Sequence, residues 1–467
     1  MKLLLVDPPE LFLRGLGHTR QVQPLGLAYV GAAVADLCEV GFLLPDTRAY
    51  VGDDPWTEII DAVVAERPDL LGLTAVTATF PAAAELARRV RAALPSLPIV
   101  LGGVHASTLP AQSLQQAPDI DLLVVGEGEA TLRELVQAFP AGFDGRVPRE
   151  PDTIGGLWLR AADGTPRATP PRSLLRDLDS LAPPLRDGLV WPQDVQPVFY
   201  QALVTTRGCP YHCIYCAVPG LDNARTRMHG AERVADEVAG LRERYDVPYV
   251  FFHDSVFTLS RKRTLAVAEA LAARDLRIPF CIQTRADRLG DDELDALVGV
   301  GLHQIFFGVE TGTAEGLRRI RKEMPLPTIR DAIARTRHRG VRASGFFMVG
   351  WPWEDAAAIA ESIDFALSLD LDAISLFSAT PLPGTELAAM AAAAGREGAP
   401  QSVDFRRPQV NLTAMTPQAY AQAYAEASAR VDAYNQERML ATLAAQQPAV
   451  ARAWHELPTV PDDEAAA

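Results

Sequence analysis

Short apolar runs recur through the first 390 positions of this 467-residue chain, and most gaps between them carry segments of helical periodicity. Such alternation dictates parallel sheets, because a parallel pair of strands needs a crossover long enough to hold a helix. Two series of this kind are present, with a segment of different composition between them.

The first series spans residues 1–141. Its expected strands are 3–6, 40–44, 70–74, 99–103 and 120–125, with helices over 26–37, 56–66 and 81–93. Five units of this pattern make a small doubly wound α/β domain, whose ligand sits beyond the carboxyl ends of the strands. The loops at those ends are rich in glycine and hydroxyl side chains, which let a ligand approach the backbone and bond to it. They offer Thr77, Gly103, His105, Gly126 and Glu127 as candidate binding residues. His105 either faces the ligand or bonds within its own loop. The pattern G-x-G-x-x-G is missing at the first helix, which disfavours a dinucleotide.

Residues 142–198 are rich in Pro, Gly, Arg and Asp and read as a connector, with one hairpin near 154–159 turning at Asp163-Gly164. The second series, residues 199–390, carries six apolar runs: 202–206, 249–252, 280–284, 303–309, 345–349 and 374–378. Six βα units suffice for an open, partial (β/α)6 barrel, in which the carboxyl ends of the strands carry the chemistry. Polar residues collect there: His253-Asp254-Ser255, Gln283-Thr284-Arg285, Glu310-Thr311-Gly312, Trp351–Glu354 and Thr385-Glu386.

The first strand of this series ends in Cys209-Pro210-Tyr211-His212-Cys213-Ile214-Tyr215-Cys216, three of the chain's five cysteines at C-x3-C-x2-C spacing. A zinc knuckle or buried metal-free thiols would be the plainer readings. Zinc wants a fourth ligand and usually takes cysteines in pairs. Iron–sulfur clusters normally take four, so three on one loop point to a 4Fe–4S cluster with one iron left open. The remaining cysteines, Cys38 and Cys281, are isolated, and Cys281 reads as a small buried hydrophobe. No disulfide framework follows, and the expected location is the reducing cytoplasm.

The net charge of −15 argues against a nucleic-acid partner, since phosphate binding needs clustered positive charge. It is compatible with a cationic small-molecule substrate. No apolar run is long enough to span a membrane. Residues 391–467 contain one long helical segment starting at Thr416-Pro417, with Tyr420, Tyr424, Ala427, Val431 and Tyr434 on one face, expected to pack rather than to act as a lid. The last residues, 461–467, are expected to be disordered.

Cys209, Cys213 and Cys216, with Tyr215 in the aromatic position before the last cysteine, resemble the radical S-adenosylmethionine superfamily. Gln23–Tyr29, Gly102–Ala106 and Val125–Glu129 resemble phrases of the cobalamin-binding domain that precedes the barrel in one subgroup. The resemblance implies that the cysteines hold a 4Fe–4S cluster and that the open iron chelates S-adenosylmethionine. It implies a methionyl amino contact at His253-Asp254, a strand-three polar contact at Gln283 and Arg285, with Arg285 toward the carboxylate, a ribose contact at Glu310 and an adenine contact at Met348. Asp254 and Glu310 have an alternative as helix caps, and Arg285 as an ion pair with Asp287.

The implied chemistry is reductive cleavage of S-adenosylmethionine to a 5′-deoxyadenosyl radical that abstracts hydrogen from a small molecule. An external donor such as flavodoxin or ferredoxin supplies the electron. With cobalamin the expected outcome is C-methylation in specialised metabolism. Without it, the alternative is radical dehydration or deoxygenation of a sugar or aminoglycoside-type diol. The cobalt-coordinating D-x-H-x-x-G is missing, because Asp7 is followed by Pro8 and Pro9. A non-catalytic sensor on the same scaffold fits less well, since a sensor has no use for five polar strand ends.

Overall fold

The run Leu3-Leu4-Leu5-Val6 is apolar at every position because both faces of its strand are covered. Leu4 and Val6 enter one hydrophobic cluster and Leu3 and Leu5 another, all at most 2% exposed. The computed structural model describes residues 1–10, 22–47, 54–139, 143–396 and 405–446. The expected disordered tail at 461–467 lies outside the described residues.

Around that strand, β1 (Lys2–Val6), run β2 (Glu39–Leu43), β3 (Leu70–Thr74), β4 (Ile99–Gly102) and β5 (Leu122–Val124), all parallel, in the order β2-β1-β3-β4-β5. This order reverses direction between β1 and β3, which is where a doubly wound sheet opens a crevice. The covering helices are α1 (Leu25–Ala32), α2 (Pro55–Glu66), α3 (Phe80–Ala93), α4 (Val104–Thr108), α5 (Pro110–Gln116) and α6 (Gly128–Ala138). Helix α1 is shorter than its apolar pattern suggests, because the chain turns after Ala32.

The hairpin assigned to the connector belongs to this sheet. Its first strand, β6 (Leu157–Arg160), pairs antiparallel with β5, and its second, β7 (Pro166–Ala168), pairs antiparallel with β6. The physical reason is edge protection: bare β5 would expose a row of unpaired backbone groups.

The second sheet holds six parallel strands in sequential order: β8 (Ala202–Leu203), β9 (Val250–Phe252), β10 (Phe280–Thr284), β11 (Leu302–Glu310), β12 (Arg342–Val349) and β13 (Ala373–Ser378). Strands β8 and β13 do not pair with each other, so the barrel is open. Strand β12 starts three residues before its apolar run. Its two polar positions are accommodated differently: Arg342 is exposed, and Ser344 is buried and accepts from Gln304 Nε2 at 2.8 Å.

The helices of this half among the described residues are α7 (Val218–Leu221), α8 (Ala231–Tyr245), α9 (Arg261–Ala273), α10 (Asp291–Gly299), α11 (Ala314–Arg319), α12 (Leu326–His338), α13 (Ala356–Leu367), α14 (Glu386–Ala393) and α15 (Pro417–Gln446), the last of which covers the free edge of β13. The Asn435 amide accepts from Ile374 N and donates to Ile374 O, both at 2.8 Å, as a neighbouring strand would. Tyr434 donates to Leu371 O at 2.7 Å, and Tyr420 and Ser378 share a hydrogen bond of 2.9 Å. The apolar face read from Tyr420, Tyr424, Ala427 and Val431 is buried. Its role is packing.

The two halves are clipped together through the connector. Arg186, 4% exposed, donates to Gln23 Oε1 (3.2 Å), Tyr200 O (3.1 Å) and Ala202 O (2.7 Å). Gln23 donates through its backbone N–H to Phe199 O (2.9 Å) and through its amide to Leu185 O (3.2 Å). One buried guanidinium thus joins the first sheet's leading loop to the first barrel strand. Arg186→Met strands three buried acceptors, so it should weaken docking of the halves by about 2–4 kcal/mol. The readout is the urea midpoint together with protease sensitivity of the 142–198 strap; an unchanged midpoint would make the clip dispensable.

Candidate active site

The cysteine loop is held from both sides. Before it, Asp254 at the end of β9 is 1% exposed and accepts from Thr205 N and Thr206 N at 2.7 Å and from the Thr205 hydroxyl. Within it, Ile214 donates through its backbone N–H to Ile320 O (3.3 Å) and accepts from Leu387 N (2.9 Å). Between them Gly208 takes φ +84°, and a Cβ there would lie 2.1 Å from Arg225 O, so only glycine fits. The three cysteines are free thiols, half-buried, around a cavity of about 140 Å³ that Tyr211, Tyr215, Ser255, Gln283, Arg285, Phe306, Gly308, Glu310, Lys322 and Phe346 also line.

The thiols fit an iron–sulfur cluster. Burial, with help from neighbouring cysteines, raises the Cys209 pKa and pushes Cys216 up to about 11. Thiolates there need compensating positive charge, which bound iron supplies. Three cysteines and no fourth line this cavity, so a cluster held there would keep one iron without a protein thiolate. A cluster spreads its thiolates over separate irons.

Facing the thiols are two cations and one carboxylate. Arg285, 6% exposed, is bidentate to Asp287 (2.8 and 2.9 Å), donates to Lys322 O (2.7 Å), and lies 4.0 Å above the Tyr211 ring. The ion pair with Asp287 is real, yet it does not exhaust the guanidinium: Arg285 Nη1 is buried without a partner. An orphaned buried donor beside the thiols suits an anionic ligand group. Glu310 ends β11 at φ +76°, after a register shift between Gly308 and Glu310, and its carboxylate accepts from Lys322 Nζ at 2.7 Å. The Tyr215 ring lies tilted at 5.6 Å from Trp351, and burial together with the nearby Glu310 raises its pKa.

Two expectations at strand two require correction. Asp254 does not open onto the cavity, because its carboxylate is consumed by the Thr205-Thr206 backbone; it positions the cysteine loop. His253 also lies off the cavity, stacked 4.1 Å from Phe251 at the start of a row of rings across the barrel's inner face. Phe251, Phe306, Phe346 and Phe377 follow at 5.2, 5.6 and 6.0 Å. The His253 side chain is exposed on the barrel's inner face; partial desolvation lowers its pKa and the neighbouring Asp254 opposes that. Gln283 lines the cavity as expected. Met348 does not; it sits on the same strand face two residues past Phe346.

A second cavity, about 430 Å³, opens at the crevice of the first sheet and runs between the halves. Its floor is apolar, from Leu5, Leu27, Val100, Val124 and Leu132, and its lip is glycine: Gly102, Gly103 and Gly126. At Gly126, φ +82°, a Cβ would meet no atom within 4 Å, so the bare backbone faces open space. An apolar slot with a glycine lip fits the tail and edge of a corrin. Gly103 and Gly126 both line this cavity. Thr77 and His105 are not among the lining residues. His105 is 4% exposed, stacked 4.0 Å from Phe80, with Nδ1 3.2 Å from Thr77 Oγ1, and burial depresses its pKa to about 4.

Glu127 lines the slot, but its carboxylate is an inter-half hub. It receives Arg207 Nη1 (2.9 Å), Arg227 Nη1 (2.7 and 2.8 Å) and Leu175 N (2.8 Å), while Arg207 Nη2 reaches Glu129 at 2.5 Å. Arg207 lies two residues before Cys209. Ser255 lines both cavities, so the two spaces share a wall. Arg207, Arg227, Ser255 and Lys322 were not among the sequence candidates. Ser255 was legible as a polar strand end; the others carried no pattern.

The chain matches the B12 binding domain family over residues 19–136 and the Radical SAM superfamily over residues 203–366. It is 31% identical over 392 residues to an uncharacterized methyltransferase of Pyrococcus horikoshii, covering 83% of this chain and 82% of that one. It is 28% identical over 344 residues to the anaerobic magnesium-protoporphyrin IX monomethyl ester cyclase of Rubrivivax gelatinosus, covering 73% of this chain and 61% of the cyclase. Among solved structures, the radical S-adenosylmethionine methyltransferase TsrM of Kitasatospora setae, with cobalamin and a [4Fe-4S] cluster bound, superposes with a TM-score of 0.73 at 19% identity, over 93% of this chain and 88% of that one. With its cysteine loop, its open barrel and its apolar, glycine-lipped slot, the chain belongs to the radical S-adenosylmethionine superfamily, in the branch that carries an N-terminal cobalamin-binding domain.

Proposed function

We propose that the protein C-methylates a small molecule, with cobalamin in the inter-half slot and S-adenosylmethionine in the cysteine cavity. The observation that carries this reading is the shared wall at Ser255, which sets the two cavities side by side. When bound, the cluster supplies the electron that cleaves S-adenosylmethionine and the corrin supplies the methyl group. The chain's own residues bind and orient. Cys209, Cys213 and Cys216 hold the cluster, Arg285 meets the methionyl carboxylate through its orphaned Nη1, and Glu310 sits toward the ribose. Gly103 and Gly126 let the corrin approach the backbone, and the row Phe251–Phe377 keeps the inner wall of the barrel apolar.

The substrate lies against Ser255, within reach of both spaces. An external low-potential donor such as flavodoxin or ferredoxin supplies the electron. Among the described residues no helix is long and apolar enough to cross a membrane.

Anaerobic reconstitution with hydroxocobalamin, then gel filtration, should leave about one corrin per chain by absorbance. Loss of the corrin spectrum on the column would sink the methylation reading and leave corrin-independent radical chemistry. Cys213→Ala should abolish 5′-deoxyadenosine formation from S-adenosylmethionine under dithionite while leaving corrin retention intact. Formation of the nucleoside by that variant would refute the cluster assignment.

A further inference from the structure

Two kinds of ring meet at the cysteine cavity. The row across the inner face, Phe251, Phe306, Phe346 and Phe377, is phenylalanine throughout. A phenyl ring resists one-electron oxidation and has no O–H or N–H to give up. Behind the cysteines the rings are of the oxidisable kind. Tyr215, between Cys213 and Cys216, lines the cavity. Its ring centroid lies 5.6 Å from that of Trp351, and Trp351 lies 5.7 Å from Trp353 with the ring planes 3° apart. The chain builds this column directly, because Gly350-Trp351-Pro352-Trp353 follows β12 without a gap. Trp351 is fully buried, while Trp353 is partly exposed, with the guanidinium of the exposed Arg319 at 5.3 Å. Three oxidisable rings therefore lead from the cavity to the surface. The cavity's other tyrosine, Tyr211, lies under Arg285 and accepts from Arg288, and among the described residues no aromatic ring continues from it.

The polar surroundings suit passage of electrons along the column. Trp351 Nε1 donates to Met348 O at 3.1 Å, and a backbone carbonyl is too weak a base to take the proton. Trp353 Nε1 is buried with no partner among the described residues, an arrangement that calls for a reason in a native protein. Neither indole has a base to deprotonate it, so each can lose an electron and regain it without moving a proton. The Arg319 charge would oppose oxidation of Trp353, and Glu315 offsets it at 2.6 Å. Tyr215 differs. Its hydroxyl bonds to Glu310, whose carboxylate accepts from Lys322 Nζ at 2.7 Å. Protons are handled at the inner end of the column and electrons along the rest.

We propose that Tyr215, Trp351 and Trp353 form a discharge path that quenches the 5′-deoxyadenosyl radical when no substrate is in place, an inference that rests on the reading of the cavity as the S-adenosylmethionine site. Tyr215 gives its hydroxyl hydrogen atom to C5′: the O–H bond breaks, a C–H bond forms, and 5′-deoxyadenosine is left beside a tyrosyl radical. One electron then passes from Trp351 to the tyrosyl oxygen, which takes a proton from water by way of Lys322 and Glu310. Trp353 reduces Trp351, and the external one-electron donor that serves the cluster reduces Trp353. The sum is one radical, one electron and one proton giving one 5′-deoxyadenosine, with the protein unchanged. A closed site that handles reactive intermediates gains from suppressing their side reactions. The competing role of the column is packing, for which any ring of like size serves.

The test is the substrate-free reaction of the cluster- and corrin-loaded protein with S-adenosylmethionine and titanium(III) citrate in D2O. Mass spectrometry reads the 5′-deoxyadenosine, and electron paramagnetic resonance reads protein radicals. Wild type should turn over repeatedly, placing one deuterium in each nucleoside from the exchanged Tyr215 O–D, with no tyrosyl signal. Trp351→Phe should stop after about one nucleoside per chain, at least tenfold below wild type, and accumulate a tyrosyl radical. Trp351→Tyr, whose ring is again oxidisable, should recover most of the turnovers. Tyr215→Phe should lose the deuterium and Tyr211→Phe should keep it. Nucleoside without deuterium from wild type overturns the inference, as does a Trp351→Phe variant that matches the wild-type count with no tyrosyl signal. If Trp351→Phe does not load the cluster, Trp353→Phe, at the partly exposed end, is judged by the same count. Wild-type protein that loads a cluster yet forms no nucleoside would instead refute the site reading beneath the inference.

Discussion

A buried carboxylate decides where the cysteines are. Asp254 gives up its ligand-facing potential to accept three hydrogen bonds from Thr205 and Thr206, the residues that launch the loop. Strand β8 is only two residues long and cannot hold the loop by ladder bonds alone. An ionised carboxylate accepting two backbone N–H groups is a strong and directional anchor. The guanidinium of Arg263 also reaches the Thr205 hydroxyl, so that anchor carries its own counter-charge. Everything the cavity does chemically is referenced to this fixed point.

From that anchor the two halves act as one site. The ribbon Thr206-Arg207-Gly208 is wall to the corrin slot on one side and lead-in to Cys209 on the other. Glu127 and Glu129 grip Arg207 from the first half, with Arg227 shared, so the relative placement of slot and cysteine cavity is set by partly buried ion pairs. Such pairs add little net stability, because desolvation offsets their attraction, but they tolerate few geometries. Their value here lies in registration of two cavities.

Much of this was written in local pattern. The strands of the first sheet announce themselves because burial on both faces leaves only apolar residues, and the cysteine spacing is too specific to misread. Gly103 and Gly126 follow from the rule that ligands approach bare backbone at strand ends. What local pattern could not carry was direction and partnership. Asp254 and Glu127 stand at strand ends like ligand-binding residues, and only the fold shows their carboxylates committed to the backbone of Thr205 and to Arg207. His105 looked equally functional, and its burial against Phe80 makes it a neutral core ring. Lys322 was invisible because a reversal after a helix has no periodicity to read. The hairpin β6–β7 was assigned to the connector because nothing in its own residues says which edge it will join.

The covering of β13 by α15 has a consequence for how such a barrel tolerates being open. An incomplete barrel keeps its lumen accessible and in exchange carries two raw margins. One amide, Asn435, occupies the N–H and C=O of Ile374 that a strand from another molecule would otherwise seek. The long helix is thus a solubility device, allowing a wide mouth for substrate without turning the chain into a template for its own polymerisation.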